Sequence, residues 1–344
     1  MRIIDDGTIK VSYPDYVFCF NPCVFMVESS DGSFDIAEVS VDVISGGVRK
    51  SGNWRAYQHK AYIDLRAYFQ LLFDENTLTS SDEAAATCKK VSIHMQVSSV
   101  PFEDDGESGP SERVTVDFDT LVYWGALRPY EQFDPYKTRK VKCWEGYPFT
   151  VDITPDKIDV DISEAQLQIG SDVNVDIVEI DAERKMMRLQ YYYGDSRTIF
   201  LTFIESGTIH RYNLVRVEYI GCEAKGVYLR WLDRYGRLCY YLFAEGQKRD
   251  KVSNYGDVLR DNITDVVRRM GYEREASMQL CAPLADTETI DGIDDIISSP
   301  VVDMYDNGVW QAVIVSAGTY TRTDDVLQDF VFEITLQDYD TQRL

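Results

Sequence analysis

The feature that most limits the fold of this chain is a succession of short apolar runs separated by turn-forming residues. Ile158, Val160 and Ile162 alternate with Asp159 and Asp161, which is the period of a strand with one apolar face. Further strands are predicted within 11–20, 23–28, 34–43, 91–97, 114–118, 153–162, 173–180, 189–193, 198–204, 214–219, 227–232, 301–305, 310–315 and 330–336. Regular short strands of this kind are typical of antiparallel sandwiches and small barrels. The sequence therefore predicts a mostly β, multi-domain protein with β-sandwich or barrel-like domains and a few short helices.

Local signals place the turns and helices between these strands. Asp233-Arg234-Tyr235-Gly236 joins the two arms of a predicted hairpin over 227–243, because glycine readily adopts the positive φ that such a turn needs. Asn307-Gly308 is a second hairpin turn. Amphipathic spacing and stop signals predict three short helices, within 63–73, 257–270 and 290–297.

The length of the chain bears on its division into domains. A chain of 344 residues is expected to form two or three domains. We predict an N-terminal β-rich domain over 1–140, a central antiparallel β domain over 141–250, and a C-terminal domain with a short helix and β-hairpins over 251–344.

The net charge of −23 argues against several classes of partner. A nucleic-acid-binding protein needs a basic surface, and so does a protein that docks on anionic lipid, so neither partner is expected. The charge favours solubility over a dedicated cation site. No apolar run reaches the length of a membrane span, and the first ten residues lack the apolar core of a signal peptide. Synthesis in the cytoplasm is the expectation. The seven cysteines have neither disulfide-framework nor zinc-site spacing, so free thiols are expected.

The sequence contains no pattern that identifies a catalytic centre. The three histidines, His59, His94 and His210, lack metal-ligand spacing, and the short signatures of serine hydrolases, zinc proteases, NTPases and dinucleotide enzymes do not occur. Asp303, Asp306 and Asn307 do not fit the EF-hand pattern, so a hairpin turn is favoured over a calcium site. We therefore predict a non-enzymatic protein with no cofactor and no metal.

Two other functions remain open at this level. With 58 Asp and Glu residues and many aromatic residues, the chain could supply the carboxyl pair of a glycoside hydrolase. Trp54, Tyr57, Tyr62 and Tyr68 could form a sugar platform of a carbohydrate-binding module or adhesin, although core aromatics at a domain interface are favoured.

The hairpin over 227–243 carries the candidate interface residues. Leu229 and Trp231 lie on one face of its first arm, and Tyr228 and Arg230 lie on the other. A strand that is apolar on both faces is either central in a sandwich or buried on assembly, and Tyr, Trp and Arg are enriched at interface hot spots. The residues assigned to this candidate interface are Tyr228, Arg230, Trp231, Tyr235 and Tyr240, with plain core packing as the alternative.

Five segments together resemble a known class of proteins. They are YQHKAYIDLRAYFQLLF at 57–73, GVYLRWLDRYGRLCYYLF at 226–243, SSPVVDMY at 298–305, WQAVIV at 310–315 and LQDFVFEITL at 327–336. In order and general character they resemble tail or baseplate proteins of tailed phages and prophages. The resemblance implies a structural and assembly role in a homo-oligomeric ring or on a baseplate, with copies of itself and other structural proteins as partners. It also implies incorporation into a phage-like particle, and it offers no catalytic residues.

Overall fold

Strands account for most of the chain, which confirms the predicted mostly β fold class. The computed structural model describes residues 1–32, 34–57, 59–73, 88–99, 103–104, 107–108, 112–131, 133, 139–153, 166–168, 175–181, 186–191, 197–205, 208–221, 225–254, 258–260, 263, 267–269, 271–316, 323, 325–336 and 342–343.

The strands are numbered in chain order through the described residues. The first half contains β1 Arg2–Asp5, β2 Ile9–Tyr13, β3 Val17–Phe18, β4 Val24–Ser29, β5 Ile36–Ser45, β6 Val48–Arg55, β7 Lys60–Asp64, β8 Cys88–Ser99, β9 Glu103–Asp104, β10 Glu107–Ser108, β11 Arg113–Tyr123, β12 Arg139–Trp144, β13 Thr150–Ile153 and β14 Gln166–Gln168. The second half contains β15 Val175–Asp181, β16 Met186–Tyr191, β17 Arg197–Glu205, β18 Thr208–Ile220, β19 Val227–Leu232, β20 Leu238–Asn254, β21 Val258–Arg260, β22 Val267–Arg269, β23 Gly271–Asp286, β24 Val302–Asp306, β25 Val309–Val315, β26 Leu327–Leu336 and β27 Gln342–Arg343. The helices are α1 Arg66–Gln70, α2 Thr287–Ile293 and a 3₁₀ turn over Asp294–Ile297.

Two sheets pack face to face in the N-terminal part. One has the order β1-β2-β4-β7 and the other the order β3-β11-β8-β5-β6. Along β5, Val39, Val41 and Val43 are buried while Glu38 and Asp42 lie on the opposite face. This alternation lets each sheet present one apolar face to the other, so the two sheets share a single core as in a β-sandwich.

A closed six-stranded barrel forms the C-terminal part, in the order β20-β19-β24-β25-β26-β23, with β23 pairing back to β20. The long strand β20 pairs with β19 up to Phe243 and with β23 from Ala244 onward. Leu229, Trp231 and Phe243 are buried on the face that points into the barrel. All the barrel pairings are antiparallel, so closure leaves these strands few open edges.

Two smaller sheets are built from strands that lie between the sandwich and the barrel along the chain. β12, β18, β17 and β14 form one, and β13, β16 and β15 form another. The hydrophobic core of the barrel includes residues from Cys143 to Ile334, and β20 crosses position 250. The domain boundaries near 140 and 250 stay predictions. Of the strand predicted over 153–162, only its first residue lies inside the described part, as the last residue of β13.

One predicted helix is wrong. The segment over 257–270 contains β21 and β22, and Val258 pairs antiparallel with Arg269. The neighbouring strands β20 and β23 are already paired up to Asn254 and Tyr272, so the pairing of β21 with β22 follows on from theirs. Long-range pairing therefore overrides the local helical periodicity.

The other two predicted helices are confirmed but shorter or shifted. Within 63–73, Ile63 belongs to β7 because it pairs with Phe25, and α1 then buries Phe69. α2 starts at Thr287, where the N-cap Asp286 carboxylate accepts a hydrogen bond from the Thr289 amide at 2.7 Å, a standard helix start. Among the described residues, no helix combines the length and apolar character that would cross a bilayer.

Candidate functional site at the β19–β20 turn

The turn that joins β19 and β20 is fixed by one aspartate. The Asp233 carboxylate accepts hydrogen bonds from the backbone amides of Tyr235 at 2.9 Å and Arg237 at 2.8 Å, and from Nε of Arg237 at 2.8 Å. Gly236 has a φ of 76°, which a glycine adopts without strain. The turn predicted from the sequence is therefore found, and it carries Arg234 and Tyr235.

Arg234 inserts its guanidinium among three carboxylates. Its Nε lies 2.8 Å from Oδ2 of Asp295, its Nη2 lies 3.2 Å from Oδ1 of Asp294, and its Nη1 lies 3.5 Å from Oε2 of Glu131. Arg128 also reaches Asp294, at 2.7 Å. We call these five residues the arginine junction. It joins a segment that follows the sandwich to the turn and the 3₁₀ helix of the barrel, and planar guanidinium groups suit such multiple contacts.

Tyr235 completes the contact with the N-terminal part. Its hydroxyl donates a hydrogen bond to Glu131, and its ring centroid lies 5.3 Å from that of Phe133 and 6.2 Å from that of Phe18. Burial, together with the nearby Glu131 carboxylate, raises the pKa of Tyr235. Tyr235 therefore stays a neutral donor at neutral pH.

A glycine makes the close approach of the two parts feasible. The Ala126 amide donates to the carbonyl of Arg234 at 2.9 Å. A Cβ atom on Gly125 would lie 2.1 Å from that carbonyl oxygen, which is inside van der Waals contact. Nothing in the sequence around Gly125 marks this role, because the contact is made with a residue more than a hundred positions away.

The carboxylates of the junction are paired with arginine or tyrosine side chains, and for Asp295 and Glu131 this pairing affects the pKa. Burial raises the pKa of Asp295 above its ordinary value, and the hydrogen bonds and charge of Arg234 offset part of that shift. For Glu131 burial also raises the pKa, but the hydrogen bond from Tyr235 and the nearby arginines outweigh it, so the net pKa is lowered. An acid catalyst must have a proton to give to a substrate. Asp295 instead faces the fork of Arg234 with both oxygens.

A cleft of about 420 Å³ adjoins the junction. The residues that line it include Arg139, Arg237, Cys239, Glu288 and Asp291. Burial raises the pKa of the Cys239 thiol, so the neutral thiol is favoured and its nucleophilicity is low. Within the described ranges, no group of three or more His, Cys, Asp or Glu side chains is placed to hold a metal ion.

The five residues of the candidate interface lie at three different places. Trp231 is fully buried inside the barrel, with its ring 6.2 Å from that of Phe243. Tyr228 and Tyr240 lie on the outer face of the barrel, where Tyr147 and Phe149 cover them.

Arg230 and Tyr235 are the more exposed members of the candidate interface. Arg230 pairs with Asp303 at 2.8 Å and stacks over the Trp310 ring at 4.3 Å, and Tyr235 lies at the arginine junction. All five thus make contacts within one chain. Their assignment to an interface between subunits stays a prediction.

Other residues singled out from the sequence are distributed over the sandwich and the barrel. The rings of Trp54 and Tyr68 pack together at 5.5 Å, whereas Tyr57 and Tyr62 are exposed, so the four do not form one platform. Asn307 and Gly308 both have positive φ in the turn between β24 and β25. Asp159 and Asp161 lie outside the described residues.

Sequence comparisons do not assign this chain to a family. No protein-family model matches the chain, and no curated protein matches it significantly.

Proposed function

We propose that this chain is a non-enzymatic structural and assembly protein, a tail or baseplate component of phage or prophage origin that enters a phage-like particle. The observation that carries the proposal is the arginine junction. Its carboxylates are held by Arg234, Arg128 and Tyr235, an arrangement suited to fixing the sandwich against the barrel. A structural protein that positions its neighbours in an assembly needs its own sandwich and barrel held in one fixed orientation.

The architecture supports the same role. A sandwich and a closed barrel offer stable outer faces, and the chain carries a high negative charge that keeps free copies apart before assembly. The resemblance of the five segments to tail and baseplate proteins points in the same direction.

Solution mass tests the proposal most directly. Light scattering at two protein concentrations, followed by electron microscopy of the same sample, should show a defined oligomer such as a closed ring. A chain that stays monomeric at high concentration would contradict self-assembly and favour the binding-module alternative.

The glycoside hydrolase alternative draws on one observation, the raised pKa of Asp295 beside a cleft. Retaining and inverting glycosidases both need an acid and a second free carboxylate, whereas Asp294 and Asp295 are bound by arginines. An assay of the original chain on a panel of chromogenic glycosides tests this alternative. Turnover that is lost in Asp295→Asn would overturn the structural proposal in favour of a glycoside hydrolase.

A further inference from the structure

One basic side chain in the cleft beside the arginine junction has no acidic partner. Arg139 begins β12 and lines the cleft of about 420 Å³. Its Nη2 donates a hydrogen bond to the backbone carbonyl of Asp152 at 2.7 Å. Within the part of the chain that the structure describes, no carboxylate forms an ion pair with it, although the whole chain has a net charge of −23. The cleft therefore contains a positive charge that lacks a contacting anion.

The other cations of the cleft are already paired. Each forms at least one ion pair with a carboxylate of the same chain, and they are Arg128, Lys140, Arg234 and Arg237. Burial, followed by the nearby charge of Arg237, lowers the pKa of Arg139 to about 10. Arginine nevertheless stays protonated at neutral pH. An anion in contact with Arg139 would stabilise this charged form, because an opposite charge offsets both the burial and the repulsion from Arg237.

Arg139 also keeps a two-pronged edge of its guanidinium open. Nη1 and Nη2 carry two hydrogens each, and Nε carries one. Nη2 uses one of its hydrogens for the carbonyl of Asp152. Whichever one that is, the other lies parallel to a hydrogen of Nε or of Nη1, and neither of those two nitrogens donates a hydrogen bond within the described residues. Two parallel N–H groups match the two oxygens of a carboxylate.

The acidic residues of the cleft limit the charge of a ligand. Glu288 and Asp291 line the same cleft and are exposed. They repel a ligand with two or more negative charges more strongly than a ligand with one. A single carboxylate therefore suits the cleft better than a doubly charged phosphate does.

An apolar cavity of about 40 Å³ adjoins the cleft. The two share lining residues, among them Arg139, Val141 and Cys239. The cavity is lined further by the apolar side chains of Phe149, Val151 and Ile293. A cavity of about 150 Å³ accepts a benzene ring, so this smaller one has room for a short aliphatic chain only. Burial of such a chain beside Arg139 would add apolar contact to the charged one.

We propose that this cleft binds a small aliphatic monocarboxylate, with the carboxylate on the open edge of Arg139 and the chain in the adjoining apolar cavity. The inference goes beyond the proposed assembly function and does not depend on it, because all the residues of the site belong to one copy of the chain. The charged contact sets the orientation of the ligand, and the size of the cavity limits its length.

Titration of the full chain with butyrate tests the site. Saturation-transfer difference NMR should show saturable binding with a Kd on the order of 1 mM, as expected for a ligand of so few atoms. Butyramide has nearly the same shape but no charge, and it should bind at least about tenfold more weakly. Acetate should bind about fivefold more weakly than butyrate, because it lacks two CH₂ groups that leave water in the cavity.

Substitutions of Arg139 locate the binding. Arg139→Gln removes the charge and the two-pronged edge, so butyrate should bind at least about tenfold more weakly. Arg139→Lys keeps the charge without that edge, and it should weaken binding by about threefold or more. Arg55→Gln is the matched control, because Arg55 is exposed on β6 and has no ion pair among the described residues, and it should leave the Kd unchanged.

Three results would overturn the inference. They are no saturable binding of butyrate by the original chain, equal binding of butyrate and butyramide, and undiminished binding of butyrate by Arg139→Gln. Equal binding of acetate and butyrate would refute the apolar part of the site. Far-ultraviolet circular dichroism checks that each variant is folded, and if Arg139→Gln is unfolded, undiminished binding by folded Arg139→Lys refutes the site in its place.

Discussion

Arg234 and Asp295 meet through two parallel contacts, with Nε 2.8 Å from Oδ2 and Nη2 2.5 Å from Oδ1. Their side chains are 13% and 10% exposed, so most of the pair is shielded from water. Pairs of this geometry hold two segments in one orientation, and breaking them leaves a buried charge without a partner.

Removal of the Arg234 guanidinium should therefore destabilise the protein strongly. Arg234→Ala leaves Asp294 and Asp295 without this cation, and we expect the free energy of unfolding to fall by roughly 3 kcal/mol. Urea denaturation measures the change. Arg55→Ala is the matched control, because Arg55 is exposed and has no ion pair among the described residues, and it should change stability by less than about 0.5 kcal/mol. Equal effects of the two substitutions would contradict a structural role for the junction.

Gly125 should be intolerant of even one added methyl group. In Gly125→Ala the new Cβ would lie 2.1 Å from the backbone oxygen of Arg234, and backbone cannot move aside as a flexible side chain can. We expect a loss of about 1–3 kcal/mol in the free energy of unfolding. Gly292→Ala, where no atom lies within 4 Å of the added Cβ, should instead stabilise α2 by about 0.5–1 kcal/mol. Thermal unfolding of both variants gives the comparison, and a neutral Gly125→Ala would show that the two parts do not meet there.

Alkaline pH should unfold the protein through its buried tyrosines. Burial raises the pKa of Tyr228 and of Tyr235 in the folded state, whereas in the unfolded chain tyrosine titrates at about 10. Their contribution to stability is thus complete below about pH 10 and is lost as the pH rises toward the folded-state values. Ultraviolet absorbance of tyrosinate, recorded with and without denaturant, should show a group of tyrosines that ionise only when the chain unfolds. Complete ionisation in the still-folded protein would refute this burial.

The N-cap of α2 should contribute a pH-dependent part of the free energy of unfolding. Hydrogen bonds from Thr289 to Asp286 lower the pKa of that carboxyl group. Asp286→Ala should cost about 1 kcal/mol at neutral pH. The charge-dependent part of this difference is present above the unfolded pKa of about 3.9 and is lost as the pH falls through the lowered folded-state pKa. Asp286→Asn keeps a cap acceptor and should cost less, so equal losses in the two variants, measured by chemical denaturation, would argue against capping.

The sequence by itself determined the class of the fold and many of its local elements. Alternation within 34–43 predicts the strand found as β5 because each residue's face depends only on its own position in the strand. The turn at Gly236 and the turn at Asn307-Gly308 follow from the backbone freedom of those residues, and both are present with positive φ. These are short-range effects, so the chain encodes them locally.

Only the tertiary structure decided how the segments combine. Residues 257–270 satisfy a helical period, yet β21 and β22 within them pair with each other beside the paired strands β20 and β23. Alternation already puts Tyr228 and Trp231 on opposite faces of one strand, but only closure of the barrel decides that Trp231 lies inside and Tyr228 outside under Tyr147. The arginine junction joins Glu131, Arg234 and Asp295, which are far apart in the chain. Charge pairs of this kind depend on distances in space, and no local pattern of residues encodes those distances.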